Sequence, residues 1–181
     1  MCEDTRGGGG AAASDAKVEE GASVVCGTSP LAPNNNVMLI KGEVVKGFGR
    51  GSKELGIPTA NLEPASFRSS IGDDTLSGIY CGFASKGEDA EVYKMVMSIG
   101  WNPFYKNKER TAEAWLLHDF EHDFYGVELR VVVCGYIRPE ADFESVESLV
   151  ARIHEDARVA RAALDAPAYQ AFASDAFLRP T

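Results

Sequence analysis

The apolar and polar positions of this chain alternate over short stretches through its middle part. Tyr93, Met95, Met97 and Ile99 share one face of an extended segment, which indicates a half-buried strand. Similar β-rich runs, each bounded by turn residues, predict strands over residues 37–46, 78–85, 91–99, 111–118 and 127–137. Short strands with no helices between them are typical of an antiparallel sheet closed into a small β-barrel.

The apolar period becomes helical after residue 140. Ser145 can cap a helix whose apolar side chains recur every three to four residues. Pro167 suits the first turn of a second helix, which carries Tyr169, Phe172 and Phe177. We therefore predict a mainly β domain over residues 37–181, with the barrel over 37–140 and C-terminal α-helices over 145–178.

The first 36 residues have a different composition. Runs of Gly, Ala and Asn leave too little apolar surface to offset the entropy lost on ordering, so we predict a disordered tail over residues 1–36. Its acidic residues and the absence of an apolar core argue against a targeting signal.

Composition excludes several classes of protein. A length of 181 residues suffices for one domain with its own core, and a net charge of −9 argues against a general nucleic-acid surface. No apolar run approaches the roughly 20 residues of a membrane span. The 4 cysteines show neither CxxC pairing nor metal-ligand spacing, so we interpret them as reduced thiols of a cytoplasmic protein. Nothing suggests a subunit interface, and we expect a monomer.

A glycine-rich loop follows the first predicted strand. Gly47, Gly49 and Gly51 alternate with other residues, so the backbone N–H groups of the loop can approach an anion closely. Arg50 and Lys53 add positive charge at the same place. A small basic region in an acidic protein suits a small anionic ligand.

Thr59 and Asn61 follow this loop, two residues apart. In an extended segment the two side chains share one face. A hydroxyl and an amide oxygen suit Mg²⁺ that is otherwise held by phosphate and water. The combination indicates a magnesium–nucleotide site and makes phosphoryl transfer the leading hypothesis.

Other glycine motifs fit less well. Ser52 precedes Lys53, and Gly56 and Pro58 prevent a following helix, so this is neither a Walker A loop nor a dinucleotide fingerprint. The glycines alone would favour a hairpin turn with a basic rim. Thr59 and Asn61 shift the balance towards nucleotide binding.

Glu113 is a carboxylate within an otherwise apolar predicted strand. A charged group there costs free energy unless it is paired, hydrogen-bonded or solvated. Beside a metal–nucleotide site it can accept the proton of a substrate hydroxyl. The alternatives are an outward-facing Glu and a partner for Arg110. We expect Glu113, the glycine loop and the Thr-x-Asn pair to meet at the interior mouth of the barrel.

Two aromatic segments and one arginine stand out as further candidates. Residues 98–107 and 123–126 are either rigid turns pinned by aromatic burial or walls for a planar ligand. Arg138, after the last predicted strand, can clamp a phosphate or pair with a carboxylate.

Together these segments, above all GRGSKELGIPTANL and SIGWNPFYKN, resemble the riboflavin kinase (flavokinase) family of the monofunctional eukaryotic type. The resemblance covers about residues 37–165. It implies a six-stranded antiparallel Greek-key barrel and ATP-dependent phosphorylation of the ribityl 5′-hydroxyl of riboflavin, giving FMN and ADP. The segment before the first strand is too short for an adenylyltransferase domain, so we expect no FAD synthesis.

The resemblance also implies residue roles. ATP is the co-substrate, and the divalent metal is Mg²⁺ or Zn²⁺. Glu113 corresponds to the catalytic carboxylate, and Thr59 and Asn61 to the metal ligands. Nucleotide contacts fall at Gly47, Lys53, Leu116, His118 and Tyr125, and flavin contacts at Arg138, Ala141 and Phe143.

Two other classes compete with this hypothesis. A non-catalytic flavin- or nucleotide-binding barrel would keep the aromatic segments and Arg138, but it would not need Glu113 beside a Thr-x-Asn pair. An OB-like nucleic-acid module is disfavoured by the acidic balance of the chain.

Overall fold

Six antiparallel strands close into a barrel in the order β1-β2-β5-β4-β3-β6. The computed structural model describes residues 37–47, 55–72, 74–89, 91–101 and 109–180. The strands are β1 Met38–Val45, β2 Ala60–Leu62, β3 Gly78–Lys86, β4 Tyr93–Trp101, β5 Arg110–Leu116 and β6 Glu128–Arg138. The helices are α1 Pro64–Phe67, α2 Val146–Leu164 and α3 Pro167–Ala173, followed by a 3₁₀ turn over Ala176–Leu178.

The strand order is that of a Greek key. β3, β4 and β5 pair in sequence, and β6 returns to lie beside β3. β1 and β2 then close the barrel between β6 and β5. The barrel with C-terminal helices that the sequence predicted is therefore confirmed.

Most predicted element bounds agree with the structure to within about two residues, and two differences are informative. β5 ends at Leu116 rather than His118, since the His118 N–H donates to the Leu116 carbonyl in a tight turn (2.8 Å). Phe177 does not belong to α3. It lies in the separate 3₁₀ turn, where its N–H donates to the Asp175 side chain (2.8 Å). The tail predicted over residues 1–36 lies outside the described residues.

Alternation along the strands builds two apolar layers. Every second side chain points into the barrel and fills it, including Met95, Met97 and Ile99 of β4, none of which is exposed. The side chains between them face outwards, where Cys134 of β6 packs with Ala160 of α2. Because β6 is buried on both faces, its valine run is continuous rather than alternating.

Helix α2 covers one side of the barrel and begins where the sequence predicts. The Ser145 hydroxyl accepts a hydrogen bond from the Ser148 N–H (3.1 Å), and the Ser148 hydroxyl caps the Ser145 N–H in return. None of the helices in the described ranges is long and apolar enough to span a membrane.

The pairing of β3 with β6 is irregular. The pairing register shifts between Ile79 and Tyr80 and again between Cys81 and Gly82. A Cβ atom at Gly82 would overlap the carbonyl oxygen of Val132. The close approach of the two backbones therefore requires glycine at this position.

We expect Gly82→Ala to lower the free energy of unfolding by about 1 to 3 kcal/mol, because the added methyl group forces the two strands apart. Urea denaturation followed by far-UV circular dichroism measures the change. Gly72→Ala is the matched control, since its methyl group would meet only the carboxylate end of Asp74, which can rotate away. Equal stability of the two variants would contradict the close-packing explanation.

Candidate active site

Two cavities lie on either side of the β2–β5 pair. The first, of about 570 Å³, is lined by inward-facing residues such as Ala114 and by the segment 118–125. We call it the mouth cavity. The second, of about 350 Å³, lies between the outer face of the sheet and α2. We call it the helix cavity. Thr59 lines both cavities, so they meet at its side chain.

Three oxygen-bearing side chains converge at this junction. The Thr59 hydroxyl oxygen Oγ1 lies 3.5 Å from Glu113 Oε2. Asn61 of β2 is the direct pairing partner of Glu113 on β5. Directly paired residues of antiparallel strands point to the same face, so the Asn61 amide and the Glu113 carboxylate are neighbours.

Glu113 does not lie in the interior of the barrel, and the expectation of an interior meeting point is wrong. Its neighbours Ala112 and Ala114 are fully buried in the barrel core, whereas Glu113 and Trp115 face outwards and are half-buried. The interior is filled by apolar side chains, and a carboxylate there would lose its hydration without compensation. Arg110 lies on the opposite face of β5 and donates to the Thr75 carbonyl (2.6 Å).

Gly47 lies against Asn61. A Cβ atom at position 47 would overlap the Asn61 amide nitrogen, so the bare backbone leaves room for this side chain. The other residues of the predicted phosphate loop, Gly49, Gly51 and Lys53, lie outside the described residues.

The predicted nucleotide contacts Leu116, His118 and Tyr125 all line the mouth cavity. Ring contacts hold the cavity wall in place: His118 packs against Tyr93 (centroids 4.9 Å apart) and against Phe120 (4.8 Å), and Phe120 packs against Phe124 (5.0 Å). Sequence analysis did not single out Phe120.

Tyr93 is buried and packs against both His118 and Phe120 (centroids 4.9 and 5.2 Å apart). Burial is the main cause that raises the pKa of Tyr93 to about 12, and the hydrogen bond to Glu91 (3.0 Å) adds to it. The phenol is therefore neutral at physiological pH and presents an uncharged surface to His118.

The helix cavity contains the predicted flavin contacts Arg138, Ala141 and Phe143. Much of its remaining surface is apolar. The sheet supplies Ile79, Val96 and Trp115, and α2 supplies Leu149 and Ile153. A flat, largely apolar ring suits a slot of this kind.

Arg138 is paired with a carboxylate, which is the second of the two roles considered for it. Its Nε lies 3.0 Å from Asp156 Oδ1, and its Nη2 lies 2.8 Å from Asp156 Oδ2. The side chain also donates to the Pro139 carbonyl (3.0 Å) and lies 5.7 Å from the Phe143 ring centroid. Asp156 is 1% exposed and lines the helix cavity.

Sequence analysis missed Asp156, although a signal existed. This carboxylate interrupts the apolar stripe of α2, next to the buried Ala157. A charged residue within a buried stripe needs a partner of opposite charge. Arg152, four residues earlier on α2, supplies part of this charge (3.4 Å), whereas the pairing with Arg138 depends on how the helix packs on the sheet.

The outer face carries one continuous row of paired residues across five strands. Asn61 pairs with Glu113, Glu113 with Ser98, Ser98 with Ile79, and Ile79 with Arg138. All except Asn61 line the helix cavity. Residues 102–108, the rest of the aromatic segment that begins at Ser98, lie outside the described residues.

The barrel thus carries two cavities that meet at a hydroxyl and a carboxylate, which is an arrangement that a transferase with two substrates needs. Comparison with known proteins identifies the family. The sequence model of the flavokinase (riboflavin kinase) family matches residues 35–164. The chain belongs to the riboflavin kinase family, as the sequence predicted.

Individual relatives agree with this assignment. The riboflavin kinase of Homo sapiens is 47% identical over 139 residues, which are 77% of this chain and 88% of that protein. A bifunctional riboflavin kinase/FMN phosphatase of Arabidopsis thaliana is 58% identical over 139 residues, and this chain spans only 36% of its length. The crystal structure of a Trypanosoma brucei riboflavin kinase superposes with a TM-score of 0.60 at 27% identity, covering 80% of this chain and 91% of that one.

We expect Asp156→Ala to lower the free energy of unfolding by about 3 to 5 kcal/mol, because it leaves the Arg138 guanidinium buried without its counter-charge. Thermal and urea denaturation measure this loss. The neighbouring Glu155→Ala removes an exposed ion pair with Arg158 and is the control, for which we expect little change. Comparable losses in the two variants would contradict a buried, structurally important pair.

Proposed function

We propose that this chain transfers the γ-phosphoryl group of ATP to the ribityl 5′-hydroxyl of riboflavin at the junction of the two cavities. Family membership supports ATP-dependent phosphorylation of riboflavin, with FMN and ADP as products. The observation that carries the proposed site is the 3.5 Å approach of Thr59 and Glu113 where the cavities meet.

ATP occupies the mouth cavity in this proposal. Leu116, His118 and Tyr125 line it, and Gly47 lies against Asn61 beside the junction. Gly49, Gly51 and Lys53 are proposed to hold the phosphates, on the basis of the loop composition and the family resemblance. The phosphates then point towards Thr59.

The metal is proposed to be Mg²⁺, held by Thr59 and Asn61. The donors at the junction are all oxygen atoms, which suit Mg²⁺, whereas Zn²⁺ prefers sites that contain His or Cys. In the described part of the chain, no three His, Cys, Asp or Glu side chains come together. A bound Mg²⁺ would neutralise charge on the phosphates during transfer.

Riboflavin occupies the helix cavity. Its ring fits the apolar slot beside Trp115 and Phe143, near Arg138 and Ala141. The ribityl chain then extends towards the junction, so its terminal hydroxyl comes next to Glu113. The flavin and the nucleotide thus approach Thr59 from opposite sides of the β2–β5 pair.

Glu113 is the proposed general base. Its carboxylate accepts the proton of the 5′-hydroxyl while that oxygen attacks the γ-phosphorus in line with the leaving ADP oxygen. Thr59 keeps the carboxylate oriented. Holding both substrates in this alignment supplies much of the rate enhancement.

A non-catalytic binding barrel is the less favoured alternative, because it gives no reason for a carboxylate at the junction. Incubation of the purified chain with riboflavin, ATP and Mg²⁺, followed by chromatography of the flavins, distinguishes the two. Formation of FMN supports the kinase. Retention of both ligands without product would support the binding barrel.

We also propose that the protein is cytoplasmic. Cys81 and Cys134 are buried thiols, which suits a reducing compartment such as the cytoplasm.

The expectation that the protein is a monomer stays a prediction, which sedimentation velocity can check.

We expect Glu113→Gln to lower kcat by at least about 100-fold, because the amide cannot accept the hydroxyl proton. FMN formation measures kcat, and isothermal titration with Mg²⁺–ATP should give a dissociation constant close to that of the unmodified protein. Glu140→Gln is the matched control, since Glu140 lines the same cavity and is exposed. A Glu113→Gln protein with nearly normal kcat would remove Glu113 from the mechanism.

We expect Gly47→Ala to raise the Mg²⁺ concentration needed for half-maximal rate by about 10-fold, because the methyl group displaces the Asn61 amide from its position. The rate of FMN formation is measured against Mg²⁺ at saturating ATP. Gly72→Ala controls for a glycine-to-alanine change remote from both cavities. An unaltered Mg²⁺ dependence in Gly47→Ala would argue against Asn61 as a metal ligand.

A further inference from the structure

The row of paired residues on the outer face changes in chemical character from one end to the other. It begins with the Asn61 amide and the Glu113 carboxylate, continues with the Ser98 hydroxyl and the apolar Ile79, and ends at Arg138. Ser98 is half-buried and lines the helix cavity. Its neighbours Met97 and Ile99 are buried in the barrel core, so its hydroxyl faces outwards beside Glu113.

This row has the dimensions of an extended flavin. Neighbouring strands lie about 4.8 Å apart, so Ser98 stands about 4.8 Å from Glu113 and Arg138 about 14 Å from Glu113 along the sheet. If the terminal hydroxyl of the ribityl chain contacts Glu113, the secondary hydroxyls next to it fall over Ser98. The ring then lies over Ile79, with Val96 and Trp115 beside it.

We propose that Ser98 binds the secondary hydroxyls of the ribityl chain and so determines the preference of the enzyme for a polyhydroxylated flavin side chain. This inference rests on the proposed function and adds a specificity-determining residue to it. The hydroxyl of Ser98 can both donate and accept, which suits a polyol.

The physical reason for such a residue is desolvation. When riboflavin enters the helix cavity, its secondary hydroxyls lose water, and each one left without a partner costs free energy. A site built to hydrogen-bond a substrate hydroxyl therefore discriminates against a substrate that lacks it. Ile79, on the far side of Ser98, cannot supply this hydrogen bond.

The test is a cycle of two proteins and two substrates. The substrates are riboflavin and an analogue whose side chain is an unbranched pentyl alcohol, with the terminal hydroxyl but without the secondary ones. We expect Ser98→Ala to lower kcat/KM for riboflavin by about fivefold, the effect of one neutral hydrogen bond, and to leave kcat/KM for the analogue unchanged. Ser98→Thr, which restores a hydroxyl, should recover most of the preference for riboflavin.

Ser85→Ala is the control for loss of a serine hydroxyl from a barrel strand. Ser85 lies on β3, is fully buried and lines neither cavity, so Ser85→Ala should leave kcat/KM unchanged for both substrates.

An equal loss of kcat/KM for both substrates in Ser98→Ala would overturn the inference, because a merely structural role of Ser98 would affect the reaction of both substrates. If the unmodified protein phosphorylates neither flavin, the proposed function itself fails. If it phosphorylates riboflavin but Ser98→Ala changes nothing, only the role of Ser98 is wrong.

Discussion

The arrangement of the site depends on the closure of the six strands into a barrel with an apolar interior. Closure forces every second side chain of β5 inwards, where Ala112, Ala114 and Leu116 join the core. Glu113 must then face outwards, and the pairing with β2 and β4 sets Asn61 on one side of it and Ser98 on the other. A shift of one residue in this register would bury the carboxylate in hydrocarbon and separate it from Thr59.

An outward-facing carboxylate would ordinarily be a solvated surface group. Helix α2 changes its surroundings, because the helix and the segment 139–143 enclose the outer face and form the helix cavity. The Arg138–Asp156 pair joins β6 to this helix at the far end of the cavity. Burying two charges is costly, and a buried pair is weak evidence for added stability. Its clearest consequence here is positional, since Arg138 also donates to the Pro139 carbonyl and lies near the ring of Phe143, which lines the cavity.

Much of the fold could be predicted from local patterns. The alternation of β4, the serine cap of α2 and the proline at the start of α3 are properties of a few neighbouring residues, and each predicts an element that the structure contains. β2 has only three residues and was predicted merely as an extended segment, because so short a strand has no periodicity to detect. Asp156 was missed since its pairing with Arg138 joins residues that are distant in the chain. Ser98 was included only as the first residue of an aromatic segment, because its place beside Glu113 depends on the pairing of β4 with β5.

The sequence by itself determined the family, the kind of fold and the residue types that phosphoryl transfer needs, because these follow from local motifs and short-range periodicity. It could not decide which face of β5 carries Glu113, that Arg138 pairs with Asp156, or that two cavities meet at Thr59. These features depend on strand register and on the packing of α2 against the sheet. Both are set by long-range burial of apolar surface, which no local stretch of the chain specifies.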